Sequence, residues 1–329
     1  MKKIVLGMFV ILMLSFIFIY IASENEEILV VEALDSFTFG MSESLGTSEI
    51  LEFTYDGDYV RFLHDVEGFT YGLDSELGWF LYVDGLPQNT QLELKDGSIL
   101  SESNFLHHFS VGYREKIEFY VVFRPSSGTM GSTVNIISGA IMRPKFLPTI
   151  EEPSFLFTNE LAHTGTSLLS LERGSRVRRN PKIITNLEMI NDEIRQAEIN
   201  WSENHIVLNS EFEMPRRVII LPLDETFDLN FSEPIHSEGN EINFRFVSYG
   251  GDSHLNRITF FVNHEPVQIN GYDYLEVIME QGEMLDIELS IEIGDLSVLN
   301  SIYAVMTTPE LTGPRQTLYK SPSLLLVNN

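Results

Sequence analysis

The chain has no cysteine, only 21 basic residues against 48 acidic ones, and two tryptophans in 329 residues. The missing cysteine excludes disulfides, thiolate catalysis, Cys-ligated zinc and iron–sulfur clusters. It also excludes a lipoprotein, whose lipid sits on a cysteine at the signal cleavage site. Secreted animal proteins of this size usually carry disulfides, so the absence fits export by a bacterium with a single membrane. The scarcity of Lys and Arg leaves a net charge of −27. Such a chain is repelled by phosphate backbones and lacks the basic footprint that nucleic-acid binding needs. The acidity reads first as a solubilising surface.

What is present is apolar and aromatic: 43% hydrophobic residues, with 23 Phe and 12 Tyr. That composition argues for a packed core and against disorder. The longest apolar run, Ile4 to Ala22, is uncharged and follows Lys2 and Lys3. As a helix rising about 1.5 Å per residue it would span roughly the hydrocarbon thickness of a bilayer. Tyr20-Ile21-Ala22-Ser23 puts a bulky Tyr where signal cleavage wants a small residue. The expectation is an uncleaved signal-anchor over 4–22, with residues 1–3 cytoplasmic and the rest outside. A cleaved signal peptide, and so secretion, is the alternative.

Downstream, alternation with period two predicts strands. In Leu285-Asp286-Ile287-Glu288-Leu289-Ser290-Ile291 every odd residue is apolar, and Ile117, Phe119, Val121 and Phe123 make a matching stripe. Further strands are expected at 49–55, 59–63, 79–83, 90–94, 226–232, 241–247, 257–262 and 322–327. Turn signals such as Asp56-Gly57, Asp84-Gly85 and Gly250-Gly251 separate them.

The two halves align as a degenerate repeat. Leu51–Tyr55 matches Phe227–Phe231, Tyr59–Phe62 matches Glu241–Phe244, and Phe80–Pro87 matches Thr259–Pro266. Ile117–Phe123 matches Leu285–Ile291, Ala140–Pro144 matches Ala304–Pro309, and Pro153–Asn159 matches Pro322–Asn328. The expected fold is all-β: two tandem immunoglobulin-like β-sandwich domains, over 28–160 and 205–329, behind an N-terminal transmembrane helix. A basic, partly helical connector over 161–204 joins them. It holds Arg173, Arg176, Arg178, Arg179 and Lys182, the densest basic cluster. Leu187, Ile190, Ile194 and Ala197 stand at helical spacing within Thr185–Glu198. The cluster reads either as a solvated connector or as a docking site for an acidic partner.

No catalytic motif stands out. There is no Gly-x-Ser-x-Gly elbow, and Gly131-Ser132 lacks the lysine of a phosphate loop. His264-Glu265 lacks the second histidine of a zinc-protease helix. His107 and His108 are strand neighbours, so they point to opposite faces and cannot grip one metal together. No cofactor is expected. Calcium is the one cation with any support, from acidic turns at Asp56 and Asp58 or Asp74 and Glu76, without EF-hand spacing. Trp79 lies in an apolar strand and reads as core, whereas Trp201, among polar residues, is the better candidate for exposure and ligand stacking.

Tyr82-Val83-Asp84-Gly85-Leu86-Pro87-Gln88, Phe123-Arg124-Pro125-Ser126-Ser127-Gly128 and Arg143-Pro144-Lys145-Phe146-Leu147-Pro148 together resemble exported, membrane-anchored proteins of low-GC Gram-positive bacteria with tandem immunoglobulin-like sandwiches. The resemblance covers about half of the chain and implies fold rather than activity. The functional expectation is a non-enzymatic ectodomain that binds another cell-surface or membrane protein. A carbohydrate or wall-polymer binding module is the alternative, and an extracellular hydrolase comes third.

Overall fold

Strand alternation dictates two kinds of sheet here, one wetted on its outer face and one buried on both. The computed structural model describes residues 37–41, 51–68, 75–142, 144–145, 147–149, 154–155, 161–163, 167–175, 177, 179–204, 216–223, 227, 234–237, 241–251, 253–292, 297–310 and 318–328. The Ile4–Ala22 run lies outside them, as do Arg176, Arg178 and most of the strand expected at 226–232. No helix among the described residues is long and apolar enough to cross a membrane.

The first thirteen strands are β1 (Phe37–Met41), β2 (Glu52–Tyr55), β3 (Val60–Gly68), β4 (Ser75–Val83), β5 (Leu86–Gln88), β6 (Thr90–Leu94), β7 (Ile99–Asn104), β8 (His107–Val111), β9 (Lys116–Phe123), β10 (Thr133–Met142), β11 (Ser154–Phe155), β12 (Leu161–His163) and β13 (Ser167–Leu171). Then come β14 (Pro181–Ile184), β15 (Glu188–Met189), helix α1 (Asp192–Asn204), β16 (Arg217–Leu221), β17 (Ile235–His236), β18 (Glu241–Tyr249), β19 (Leu255–Val262), β20 (Glu265–Val267), β21 (Tyr274–Ile278), β22 (Glu283–Glu292), β23 (Leu299–Thr307), β24 (Leu318–Lys320) and β25 (Ser323–Val327). The chain is all-β with sandwich-like sheets, and α1 is the one helix among the described residues.

Four sheets result. Sheet I runs β1-β3-β9-β6-β7, and sheet II runs β2-β13-β10-β4-β5, with β12 on β10 and β8 on β4. Sheet III runs β11-β25-β23-β19-β21-β14, with β17, β20 and β24 as side branches, and sheet IV runs β15-β22-β18-β16.

The pairing diagram of sheets I and II recurs in sheets III and IV. Sheets I and II contain ten pairings, of which β6 makes two; each of the other eight has a counterpart. Thus β1–β3 becomes β16–β18, β3–β9 becomes β18–β22, and β4–β10 becomes β19–β23. The β5, β8, β12 and β13 partners become β20, β21, β24 and β25. Even the parallel β2–β13 pair recurs as β17–β25.

Register agrees with the repeat in the strands of clearest alternation. Phe62 opposes Val121 and Phe244 opposes Leu289, as the alignment requires. Ile242 and Phe244 are fully buried, and Leu285, Leu289 and Ile291 point into the same core, with Ile287 half-buried against it. Two matches slip. Val83 pairs with Ile136 and Val262 with Ile302, so Ala140 corresponds to Met306 rather than to Ala304. A slip of two preserves which face every side chain takes, so a period-two pattern cannot detect it. The counterpart of β25 is β13, not the Pro153–Asn159 stretch; β11 instead pairs with β25 itself. The strand in the place of β2 is Ile235–His236, later than the expected 227–231 match.

Three apolar layers separate the four sheets. Phe62, Phe119 and Val121 of sheet I pack on Trp79, Leu81 and Ile136 of sheet II. Phe244, Phe246 and Leu289 of sheet IV pack on Phe260, Ile302 and Ala304 of sheet III. Between sheets II and III lies a third cluster, containing Phe80, Tyr82, Ile137 and Ile141 against Phe261, Tyr303 and Val305. The alternate residues of β4, β10, β19 and β23 therefore face two different cores, and residues 36–329 make one compact unit. Such strands read as continuous apolar runs, as in Trp79-Phe80-Leu81-Tyr82-Val83.

The seam uses equivalent parts of the two halves reciprocally. The turn Asp84-Gly85 and its counterpart Asn263-His264 both hold positive φ, the geometry of a tight hairpin. Gly85 oxygen accepts a hydrogen bond from Thr307 Oγ1 at 2.8 Å, and a Cβ on Gly85 would stand 2.6 Å from that oxygen. On the other side His264 Nε2 donates to the Pro144 carbonyl at 2.5 Å, while Tyr303 hydroxyl donates to His264 Nδ1 at 3.0 Å. Arg257 pairs with Asp84 at 2.9 Å and with Glu276 at 2.8 Å, fastening the same turn. His264 holds φ 70° without being glycine; its hydrogen bond across the seam to Pro144 and its bond from Tyr303 within its own half offset that strain.

The residues read as connector are shared between the halves. Ser167–Leu171 is a strand of sheet II, whereas β14 and β15 extend sheets III and IV. The helix begins later than the spacing suggested, at Asp192, because Asn191 caps it: its Oδ1 accepts the Ile194 N–H at 2.9 Å. Ile190 and Ile194 are buried in the sheet III–IV core.

Candidate functional site

Two surface features remain once the cores are accounted for. The first is a cleft of about 770 Å³ where the rim of sheet I meets the chain leading to sheet III. Its walls include Tyr59, Asn89, Gln91, Ser103, Arg124 and Arg179, with Pro87 and Pro266 from the two equivalent hairpins. Tyr59 precedes β3, Arg124 follows β9, and Gln91 faces outward from β6, so the register of sheet I gathers them.

Local bonds order the cleft. The Arg124 guanidinium lies 4.2 Å from the Tyr59 ring centroid, and its Nε donates to the Asp58 carbonyl at 3.2 Å. Gln88, nearly fully buried, holds the following loop: its Oε1 accepts the Ser126 N–H at 2.8 Å and its Nε2 donates to the Arg124 carbonyl at 3.0 Å. Arg179 Nη2 donates to Ser126 Oγ at 2.9 Å, while its buried Nε has no partner among the described residues. Neither Arg124 nor Arg179 forms an ion pair among the described residues. The one carboxylate on the walls, Glu93, sits 3.4 Å from Arg61. Tyr59 is 57% exposed.

The second feature is the edge of sheet III, which no further strand pairs among the described residues. There β14 pairs in parallel with β21, Lys182 opposite Leu275 and Ile183 opposite Glu276. Ile183 is 69% exposed and Ile278, on the same face two residues beyond Glu276, is 55% exposed.

The basic cluster is thus divided. Arg179 lines the cleft, Lys182 lies half-buried on the β14 edge, and Arg173 lies along the Asp56-Gly57 turn, where a Cβ on Gly57 would stand 2.5 Å from Arg173 Cδ. Trp201 falls within α1, and its side chain is outside the described residues. Sequence reasoning missed Tyr59, Arg124 and Gln91. In the sequence Arg124 stands as a lone cation at the end of an alternating strand and within the Phe123–Gly128 motif, with nothing that marks it as part of a site.

The groups with catalytic side-chain chemistry are interior. His64 Nε2 lies 2.9 Å from Ser138 Oγ and accepts the Trp79 indole N–H at 3.3 Å. This Ser–His pair is fully buried in the sheet I–II core, where no substrate reaches it, and burial lowers the His64 pKa to about 3. His107 is buried between Thr90 Oγ1 at 2.8 Å and Ser101 Oγ at 2.7 Å, while His108 is exposed, the expected opposition of strand neighbours. Burial lowers the pKa of His107 and of His264 to about 4. Lys320, beside the seam, lies 4.4 Å from the Tyr303 ring centroid, and burial lowers its pKa to about 7. Glu198 is buried under α1, where it accepts from Arg217 Nε at 2.8 Å and from the Tyr249 hydroxyl at 2.5 Å. This network bonds the helix to sheet IV. Among the described residues no three His, Asp or Glu side chains gather as a metal site. Asp56 instead accepts the Asp58 N–H, and Glu76 sits 3.3 Å from Lys145.

No family model and no curated protein matches the sequence. Solved structures that align over most of the chain include a protein of unknown function from Porphyromonas gingivalis W83, at 8% identity and TM-score 0.23 over 88% of this chain and 99% of that one. Others are the Salmonella enterica SafA pilin in complex with the SafB chaperone, at 9% and 0.20 over 87% and 95%, and a chicken TCR, at 9% and 0.22 over 89% and 100%. At such scores the likeness carries no argument about this chain.

Proposed function

We propose that the protein is a non-enzymatic ectodomain of two tandem immunoglobulin-like sandwiches, held at the outer face of a bacterial membrane by Ile4–Ala22, and that it binds another cell-surface protein. Support for the tandem arrangement comes from the recurring pairing diagram. Support for display outside the cell comes from the apolar N-terminal run, the missing cysteines, and the resemblance to exported proteins of low-GC Gram-positive bacteria.

The observation that carries the binding reading is the β14 edge. An open edge strand with exposed apolar side chains is a template for pairing with a strand of another chain. Ile183 and Ile278 supply apolar contacts beside it, and Lys182 favours an acidic partner segment. Crosslinking in intact cells is the test. Ile183→Asp is expected to abolish capture of a partner that the unaltered protein captures, while the protein still reaches the surface; undiminished capture would discard this edge as the docking site. Sequencing the N-terminus of the extracted protein separates an anchor from a cleaved signal.

A second reading, a wall-polymer binding module, is favoured by the cleft, where an exposed ring, carboxamides and two cations face solvent together.

A further inference from the structure

We propose that the Tyr59–Arg124–Arg179 cleft binds an acidic polysaccharide segment, its anionic group between the two guanidiniums and its hydroxyls on the carboxamide wall. This rests on the wall-polymer reading and names its site and ligand class.

The electrostatic case starts from the charge balance. In a chain of net charge −27, a cation left without an anion is unusual. Arg124 and Arg179 line one cleft and neither forms an ion pair among the described residues. Both are ordered by neutral partners: the Asp58 carbonyl and the Tyr59 ring for Arg124, Ser126 Oγ for Arg179. Those bonds leave donors on each guanidinium, including the buried Nε of Arg179, which has no partner among the described residues. Guanidinium forks suit carboxylate and phosphate oxygens. Glu93 does not fill the role, because Arg61 stands 3.4 Å from it on the outer face of sheet I.

The second half of the recognition is neutral. Asn89, Gln91 and Ser103 also line the cleft, Gln91 with its Nε2 donating to Glu93 Oε1 at 3.0 Å, and such groups exchange hydrogen bonds with hydroxyls. Tyr59 keeps more than half of its surface open, an amphipathic face of the kind that packs on a sugar ring. The volume of about 770 Å³ matches a ligand of a few rings. An acidic peptide would use the cations but leave these groups unsatisfied, so the glycan is favoured.

The test uses the full chain in detergent micelles against four immobilised probes: polygalacturonate, a glycerol phosphate polymer, neutral dextran and poly-glutamate. Retention by polygalacturonate or by the glycerol phosphate polymer is expected, and which is stronger tells carboxylate from phosphate. Neutral dextran and poly-glutamate should bind at least about tenfold more weakly, and binding should weaken with salt. Arg179→Gln and Arg124→Gln should each weaken binding about tenfold or more, the usual loss for one charge-assisted contact. Tyr59→Ala should weaken it without steepening the salt dependence. Unchanged melting of the three variants shows that they fold. Equal binding by Arg124→Gln and Arg179→Gln overturns the site, and stronger retention by poly-glutamate overturns the ligand class. If isolated cell walls bind the protein while the cleft variants bind them equally well, the wall-polymer reading survives and this assignment fails. Absence of binding to every probe and to walls sinks both.

Discussion

The two halves share one pairing diagram but protect their edges differently. In the first, the β6–β7 hairpin covers the free edge of β9, and the first core closes over Trp79 and two buried histidines. In the second, no such hairpin stands among the described residues; β15 pairs with β22 and α1 inserts Ile194 into the core. A sheet edge must be paired, covered or charged. The first half solves this from within its own strand sequence, and the second borrows chain that precedes it. The later part of the connector, from β14 through α1, therefore belongs to the second half, while β12 and β13 belong to the first. The connector's basic residues are spread along covering elements, which is why only Arg179 among the described ones reaches the cleft.

The largest effect should come from removing equivalent rings. Phe62 and Phe244 hold the same place in β3 and β18 and are both buried. Either change to Ala should cost about 3–5 kcal/mol. If the seam makes the halves cooperative, each variant lowers one common thermal transition. Two separate transitions, with only one moved by each variant, would show that the buried layer between sheets II and III does not couple them.

The next prediction concerns the feature that only the second half has. Glu198→Ala leaves the Arg217 guanidinium half-buried and strands the Tyr249 hydroxyl, both held by that carboxylate. Breaking such a pair costs about 3 kcal/mol or more. Hydrogen exchange should then speed up in α1 and β16 before it does in β3 or β9. Uniform acceleration in both halves would contradict the assignment of α1 to the second half.

Much of this was legible. Alternation at 117–123 and 285–291 shows which face is buried and the parity of the register against β3 and β18, because one core rewards one parity. The Asp84-Gly85 and Asn263-His264 turns marked equivalent hairpins. Parity also explains the failures. Ala140 stands two residues from its expected counterpart because even slips keep the pattern intact, whereas the Pro153–Asn159 match fails because a separate strand, β13, holds the place equivalent to β25. The seam was harder to foresee: Trp79–Val83 reads as a strand buried on both faces, yet nothing local says what covers the second face. The cleft is a matter of spatial assembly, since Tyr59, Gln91, Arg124 and Arg179 come from four separate stretches.

Titration separates the regions more gently. His64 and His107 sit in the first half and His264 at the seam, all with folded pKa values of about 3 to 4 against 6.5 for the free ring. Above about pH 6.5 both folded and unfolded states hold neutral rings, so this stability is fully present. As pH falls toward 4 the unfolded state takes up protons that the folded state refuses, and stability drops, by at most about 3 kcal/mol per ring. Lys320 works in the alkaline window: its folded pKa of about 7 means stability rises between about pH 7 and 10.5. His264→Asn, which tolerates the positive φ, should flatten the loss of Tm between pH 6.5 and 4. An unchanged slope would remove the seam histidine from the account.

The smallest effect gives the sharpest comparison within the seam, between two tyrosines on facing sheets. Tyr303 hydroxyl donates to His264, whereas Tyr82 Oη is buried with no hydrogen-bond partner among the described residues. Replacing Tyr303 by Phe deletes a satisfied bond and leaves His264 Nδ1 unpaired, a loss of about 1 kcal/mol or more. Replacing Tyr82 by Phe removes a hydroxyl whose desolvation nothing offsets, so it should be neutral or stabilising by up to about 1 kcal/mol. Both changes keep the ring that packs in the same apolar layer, so a difference in Tm between them isolates the polar part of the seam. Equal losses would mean that the Tyr82 hydroxyl is satisfied as well.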